Sequence, residues 1–586
     1  MADSPLRLLR ARVGAGVATA FGADVERPDP LVVPTSDPRH GDYTCPAAMS
    51  LARTLRRPPH ELAERLAAAL DLADVCEPPE VVRPGFVNLR LRKSWLESQV
   101  VAMVGDDRLG IGPVAEPVRV VVDYSGPNVA KQMHVGHLRS TIIGDSLCNL
   151  LEFLGHEVER VNHLGDWGTQ FGMLIAHVED VHPGGLGGAD AEVEDLEALY
   201  RTANARFSDD PAFRDRARQR VVDLQSGEPT ARAAWQWMVD LSMARNQEVY
   251  ELLGVRNLVT RGESSYQPLL ADVVAELEAA GLVVVDDGAK CVFVEGFTNK
   301  AGEPLPLIVQ KADGAYNYAT TDLAALRSRV EQGARRLVYV TDAGQAQHFA
   351  MVFAVAARAG WLPPEVEAAH VAFGLVLGEG GGRLRTRSGD TVRLRDLLDE
   401  AVARAREFLV ERANERGEPV PADVDEVARA VGVGAVKYGD LSQNRQSNYV
   451  FSYDRMLTLR GNTAPYLQYA FARIRSILRE AGREGDGGTA AEAVTVSLGE
   501  PQEADLARRL VATGDVLERV VDDYLPSHLS AHLYELAQAY HQFYEHCPVL
   551  RADAPVRRSR LALCEVTAAS LRRGLGLLGI DVPERI

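Results

Sequence analysis

The sequence predicts an α/β protein built on a doubly wound parallel sheet over residues 116–400, with an N-terminal α/β domain over 1–115 and an all-helical C-terminal domain. Three observations on the 586 residues predict this. The β-branched run Val118–Val122 is followed by apolar positions at Leu138, Ile142, Leu147, Leu150, Leu151 and Leu154, with Gly155 as a helix stop. Strand, loop and helix in that order open a parallel sheet. Further strand candidates stand at Val158–Val161, Leu337–Val340 and Val371–Leu377, with helical stretches between some of them. From 401 onward strand signals fade and long amphipathic stretches take over, broken by the Gly-rich loop 482–488.

Taken in order, the chain starts with a helix signal. Ser4-Pro5 supplies an N-cap and a first-turn proline, and Leu6, Leu9, Val13 and Val17 share one face. The same stretch loosely resembles a secretory signal, with Arg7, Arg10 and Arg12 ahead of the apolar run 13–23, but the cap and the periodicity favour a structural helix. The N-terminal unit closes with a strand over 85–91 and a Gly/Pro linker near 110–113. A helix-rich insertion is expected over 178–255. It is acidic at its start (Glu192, Glu194, Asp195, Glu197), read as a solvated helix face, and carries Trp235 and Trp237. A connecting helical segment over 401–455 leads to the helical domain 456–586.

Composition excludes several classes. Hydrophobic residues at 46% with 25% charged rule out collagenous and fully disordered chains. A formal charge of -18 argues against a general polyanion coat, so nucleic-acid contact must be local. The six cysteines come no closer than Cys547 and Cys564, so no CxxC pair offers a zinc or redox site, and no structural metal is expected. Reduced thiols point to the cytoplasm. The most apolar stretch, Phe349–Ala357, is halted by Arg358, which leaves no membrane span.

Chemistry concentrates in three clusters. The segment 123–137, ending His134-Val-Gly-His137, joins the first strand to the first long helix, where unpaired N–H groups and the helix dipole suit phosphate. Gly136 between the two histidines would admit a base or ribose to the backbone. His-x-Gly-His alone is equally a metal or capping pattern; its place at a strand-to-helix corner favours a nucleotide site. The segment 162–172 follows a second strand, and Gly165 and Gly168 around Asp166-Trp167 open room for a base or ribose, or else form a turn about a core tryptophan. The glycine-rich loop 378–390 carries Arg383, Arg385 and Arg387, whose guanidinium groups suit a phosphate chain gaining charge.

At these residues the chain resembles the class I aminoacyl-tRNA synthetases, and the arginyl family among them, nearly end to end. His134-Val-Gly-His137 is similar to the HIGH signature, and Arg383-Leu-Arg-Thr-Arg387 stands where the KMSKS loop belongs, without its lysines. The blocks 125–131, 138–145, 165–172 and Val436-Lys-Tyr-Gly-Asp-Leu-Ser-Gln-Asn-Arg445 resemble arginyl sequences in particular. The resemblance implies a Rossmann-like catalytic domain and a ligase that activates arginine with ATP and transfers it to the terminal ribose of tRNA(Arg). It assigns the missing lysine's work to Lys131, beside His134, His137, Arg383, Arg385 and Arg387. It assigns ATP to His134, Gly136, His137, Gly165, Asp166, Gly168 and Gln170, with Mg2+ riding on the phosphates.

Arginine itself demands fixed acids, because a planar cation with five donors is costly to leave unpaired. Glu263 and Asp322 match the family's guanidinium positions, with Tyr318 one turn before Asp322. Asn128 and Gln345 take the amino-acid backbone, and Asp123 supports the pocket. For tRNA, the stretch 455–479 holds five arginines and no acid, interleaved with Tyr466, Tyr469 and Phe471. Arg455, Arg460, Tyr466, Tyr469, Arg473 and Arg475 are the expected RNA surface, with a second basic stretch over 551–573. The family uses this helical domain on the anticodon and the N-terminal domain on the outer corner of the tRNA. A monomer is expected. Two rivals are a smaller nucleotidyl transferase sharing His-x-Gly-His, which leaves most of the chain unexplained, and an RNA-binding protein without catalysis.

Overall fold

Three consecutive valines, Val120, Val121 and Val122, are each at most 2% exposed, because both faces of their strand are covered. That strand lies in the middle of a five-stranded sheet in a computed structural model that describes residues 4–22, 30–35, 37–181, 196–299, 301–385, 391–482 and 494–586. The strands are β1 (Arg119–Asp123), β2 (Glu157–Leu164), β3 (Val259–Gly262), β4 (Arg336–Tyr339) and β5 (Glu367–His370). Their spatial order is β5-β4-β1-β2-β3 and every neighbouring pair is parallel. The chain lays β1, β2 and β3 outward, then returns to place β4 on the other side of β1. The order therefore reverses between β1 and β4, where doubly wound sheets open a crevice at their carboxyl ends.

Two strands differ from expectation. The run Val371–Leu377 is not the outer strand: β5 lies four residues earlier, and Val376–Leu377 instead pairs in parallel with Tyr449–Val450. β3 has no counterpart among the predicted strands. Both are edge strands, and edges have no need of the continuous apolar run that marks a buried strand. The order of exposure along Val-Thr-Arg-Gly in β3 shows no buried residue.

Helix Val135–Phe153 crosses from β1 to β2 and is buried nearly all round. Leu138, Ile142, Leu147, Leu150 and Leu151 pack as their spacing predicts. Its polar residues fasten it to the reversal point. Ser140 Oγ donates to the Val340 carbonyl at 2.6 Å and accepts from Ser125 N at 2.8 Å, while Thr141 Oγ1 donates to Ser125 Oγ at 3.0 Å. Buried ion pairs hold its flanks: Arg139 with Asp440 at 3.0 Å, and Asp145 with Arg160 at 2.8 Å. The block 436–445 that resembles arginyl sequences is thus partly scaffold, since Arg445 also donates to the Ala372 carbonyl at 2.6 Å.

The insertion is helical over Thr169–Val181, Leu196–Asp209, Pro211–Ser226 and Pro229–Leu253, around a core of Phe171, Leu174, Phe213 and Met238. Asp210 and Glu228 cap the last two helices. Of the acidic start, 192–195 lies outside the described residues. Helices Leu394–Arg416 and Val424–Leu441 pack together so closely that a Cβ on Gly432 would sit 2.7 Å from the Ala401 carbonyl oxygen. Residues 114–457 form one compact unit together with 578–580, so the segment 401–455 belongs with the sheet.

The 578–580 stretch is anchored by a buried lysine. Lys437 is 0% exposed, and its Nζ donates to the carbonyls of Leu253 at 2.7 Å and Gly579 at 2.5 Å. Gly579 has φ +69, and a Cβ there would come within 2.6 Å of Lys437 Nζ and 2.9 Å of Asp145 Oδ2.

The second unit comprises residues 1–113, 458–577 and 581–586, so the N-terminal and C-terminal segments form one body. Helix Pro5–Phe21 begins as its cap predicts, Ser4 Oγ accepting from Arg7 N at 3.2 Å, and buries Leu6, Leu9, Val13 and Val17. Buried Asp515 accepts from Leu6 N at 3.0 Å and from Tyr43 Oη at 2.6 Å, stitching the helical segment to the N-terminal one. A four-stranded antiparallel sheet holds Tyr43–Cys45 and Phe86–Leu89 at its centre. No helix among the described residues is long and apolar enough to cross a membrane.

Candidate active site

At the reversal point, the carboxyl ends of β1 and β4 open into a cavity of about 640 Å³. Its wall includes Asp123, Asn128, His134, Gly136, His137, Gly165, Glu263, Tyr318, Asp322, Gln345, Arg383 and Arg385. Residues from six separate stretches of the chain therefore meet in one crevice.

One end is built of donors. His134 is the N-cap of helix Val135–Phe153, its Nδ1 accepting from Gly136 N at 3.0 Å, while His137 Nδ1 accepts from His134 N at 3.1 Å. Each ring thus uses its Nδ1 as an acceptor, which places the ring proton on Nε2. Burial, reinforced by the neighbouring charges of His134 and Lys131, pushes His137 down to about 3, so it is a neutral donor at neutral pH. The expected unpaired backbone N–H groups are not there: Val135 N donates to Val392 O at 3.1 Å, Gly136 N to His134 and His137 N to the His134 carbonyl at 2.8 Å. The imidazoles take the donor role that the helix end was expected to play. Gly136 is needed because the His134 ring folds back to within 2.7 Å of where a Cβ would stand.

Arg383 and Arg385 face the same end. Leu377 bridges Arg383, and Arg385 bridges Thr391. The downstream end of their loop is fastened beside the histidines by the Val135–Val392 bond and by Leu394 N donating to the Met133 carbonyl at 2.9 Å. Arg387 lies outside the described residues.

The other end is acidic. Glu263 follows β3 directly, and Asp322 lies one turn after Tyr318 in helix Tyr318–Glu331, which Asn317 caps. Burial first, then the nearby charges of Asp322 and Asp166, lift Glu263 to about 7. Asp322 Oδ2 lies 2.6 Å from His348 Nε2, and its Oδ1 lies 3.9 Å from His163 Nε2. Tyr318 is 60% exposed at the rim, its ring centroid 5.0 Å from that of His348. Asn128 and Gly165 bridge one another in the wall, and Gln345 ends a short turn opposite.

Other expected positions land elsewhere. Asp166 is 4% exposed and outside the cavity wall; its oxygens accept from Ser264 N at 2.9 Å and Ser264 Oγ at 2.6 Å, which braces the end of β3. Gly168 and Gln170 are likewise absent from the wall. Lys131 is exposed, with Nζ 5.0 Å from the Tyr200 ring centroid on the insertion, and does not line the cavity. Asp123 lines it, but its Oδ2 is paired with buried Arg329 at 2.7 Å, which makes it support. His163, Asp342 and His348 also line the wall and were missed. His348 stands one helical turn after Gln345, and that spacing was the available signal.

The expected RNA surface divides. Arg455, in the short helix Tyr453–Met456, belongs to the sheet-bearing unit, and it is exposed, as are Arg460 and Arg473. Helix Ala464–Glu480 carries Tyr466 and Tyr469 half-buried, and Phe471 is 1% exposed as core. Arg473 stacks 4.4 Å over Tyr544, and Tyr466 packs edge-on to Tyr534. Arg475 is half-buried and paired with Glu584 at 2.8 Å. In the second basic stretch, Arg560 pairs with buried Glu503 at 2.7 Å.

Comparison with known proteins supplies three family matches. Residues 7–91 match the arginyl tRNA synthetase N-terminal domain, 99–453 the class I (R) tRNA synthetase catalytic domain, and 467–586 the DALR anticodon binding domain. The chain is 56% identical to the arginine–tRNA ligase of a Synechococcus species and 53% to that of a Cyanothece species, each over 100% of both chains. Among solved structures, arginyl-tRNA synthetase from Plasmodium falciparum matches with TM-score 0.87 at 29% identity, covering 100% of this chain and 99% of that one. The Thermus thermophilus arginyl-tRNA synthetase matches with TM-score 0.81 at 26% identity, covering 99% and 100%.

Proposed function

The chain belongs to the arginyl-tRNA synthetase family of class I enzymes, and from that premise we propose how its cavity divides the work of joining arginine to tRNA(Arg) with ATP. The guanidinium binds at the acidic end, between Glu263 and Asp322, with Tyr318 closing over the side chain. Asn128 and Gln345 orient the amino acid's ammonium and carboxylate. The triphosphate lies toward His134, His137, Arg383 and Arg385, and the adenine and ribose toward Gly136 and Gly165. What supports this is the polarity of a single crevice: acids at one end, and neutral or cationic donors at the other.

In the first step a carboxylate oxygen of arginine attacks the α-phosphorus and pyrophosphate leaves. In the second, a terminal ribose hydroxyl of tRNA attacks the activated carbonyl and AMP leaves. No protein nucleophile is required; positioning and stabilisation of developing charge carry the rate. Lys131, on its long exposed stem, swings to the phosphates when they are bound. The donors at that end fit an anion and not a cation, so Mg2+ enters as part of the ATP substrate. We assign the anticodon to 467–586 and the RNA backbone to the exposed Arg455, Arg460 and Arg473. Both substrate subsites come from one chain, which is consistent with a monomer, and six free buried thiols suit the cytoplasm.

The test is aminoacylation of a mixed tRNA pool with each amino acid in turn. Arginine alone should be charged, and charging of another amino acid in its place would overturn the reading. ATP–pyrophosphate exchange with arginine, run with and without tRNA, then tells whether activation waits for the RNA.

A further inference from the structure

Among the described residues, neither acid of the guanidinium end is paired with an arginine or lysine. Asp322 nevertheless does not hang free. An ionised carboxylate only accepts, so the 2.6 Å contact between its Oδ2 and His348 Nε2 has the imidazole donating. His348 sits on helix Ala346–Arg358 and Asp322 on helix Tyr318–Glu331, so the bond spans two separate elements. The imidazole is itself held: its side chain is 13% exposed, Tyr318 packs on it at 5.0 Å, and Phe349 meets it edge-on at 5.4 Å.

We propose that His348 is a specificity-determining positioning residue, which pins one oxygen of Asp322 so that the other oxygen and the plane of the carboxylate are set for a guanidinium fork. This rests on the assignment of Asp322 to the arginine side chain. The physical reason for such a device lies in the ligand. An ammonium is a point charge and tolerates a carboxylate in many rotations, whereas a planar guanidinium gains its paired hydrogen bonds only when the acceptor plane matches its own. An aspartate carboxylate is free to rotate about χ2 unless a donor fixes it. His348 fixes it by one hydrogen bond and keeps its own ring in place through Tyr318, the residue that covers the ligand's other face. The preference for arginine over lysine is thereby built into a hydrogen bond behind the acid as well as into the acid itself.

The test compares His348→Ala and His348→Gln in full-length protein with tRNA and ATP saturating. The glutamine amide nitrogen stands about where imidazole Nε2 stands and donates the same bond. His348→Ala should raise the arginine KM about tenfold, the usual worth of a hydrogen bond to a charged group, with kcat within about twofold and the ATP KM unmoved. His348→Gln should restore the arginine KM to within about threefold of the parent. In an Asp322→Asn background, His348→Ala should add little, since the bond it removes no longer orients a charge. An unchanged arginine KM in His348→Ala, or a fall in kcat matching the rise in KM, overturns the proposal. Should the alanine variant not fold, a tenfold higher arginine KM in a folded His348→Gln overturns it as well. If Asp322→Asn itself leaves the arginine KM untouched, the subsite assignment has failed, and that outcome is distinct from failure of the histidine's role.

Discussion

The two ends of the crevice solve opposite electrostatic problems. At the donor end the groups satisfy one another before any substrate arrives: His134 caps Gly136, His137 caps His134, and the arginine loop is fastened to Met133 and Val135. At the acidic end the groups conflict: burial first, and then the nearby charges of Asp322 and Asp166, raise Glu263 to about 7. The first arrangement holds direction and waits for charge to develop. The second holds unbalanced charge and waits for a cation to relieve it, which makes the cation's arrival far more favourable than that of a neutral analogue.

The contrast can be broken in four ways, from large effects to small. Asp322→Asn removes half of the relief that a guanidinium offers, and the loss of a charge partner, about 3–5 kcal/mol, should raise the arginine KM by about two to four orders of magnitude while kcat falls far less. Steady-state kinetics in arginine decide it, and a loss mainly in kcat would put Asp322 in the wrong role. At the other end the split should invert: Lys131→Ala and His137→Ala should each lower kcat about 100-fold with arginine KM nearly constant. Equal movement of both parameters in these variants would erase the distinction between the ends.

The third contrast is in pH. On the proposed assignment arginine binds the ionised form of Glu263, which the pocket lifts to about 7, so the arginine KM should climb about tenfold per pH unit below 7 and level off above it. Glu263→Gln should remove that slope. His137, at about 3, should contribute no limb to kcat above about pH 5, so a kcat limb near neutrality that vanishes in His137→Asn would contradict its neutral donor role. Smallest is Tyr318→Phe. The ring does the covering and its hydroxyl sits at an exposed rim, so the arginine KM should move no more than about threefold.

Much of the donor end could be read from the sequence because it is local: strand, histidine pair and helix are contiguous between 119 and 153. The apolar spacing of Leu138, Ile142 and Leu147 gave away the helix, since its core face repeats at 3.6 residues. The local pattern offered capping as one reading of the two histidines but could not choose it, because the choice depends on ring rotamers. The acidic end was reachable only through family resemblance, as Glu263 and Asp322 lie 59 positions apart and meet by tertiary folding. β3 was invisible because an exposed edge strand carries no apolar signature. The union of the two terminal segments was equally hidden, resting as it does on bonds such as that from Leu6 to Asp515, 509 positions away. The contact that requires Gly262, where the Asp166 carboxylate lies against it from 96 positions upstream, was hidden as well.

The carbonyl of Gly579 closes over the ammonium of Lys437 from 142 positions downstream. A ribosome therefore delivers every strand of the sheet and both histidines long before it delivers the group that finishes solvating this buried charge. Nascent chains halted ahead of that point carry the whole sheet but lack one hydrogen bond to its buried ammonium, a loss of about 1–3 kcal/mol.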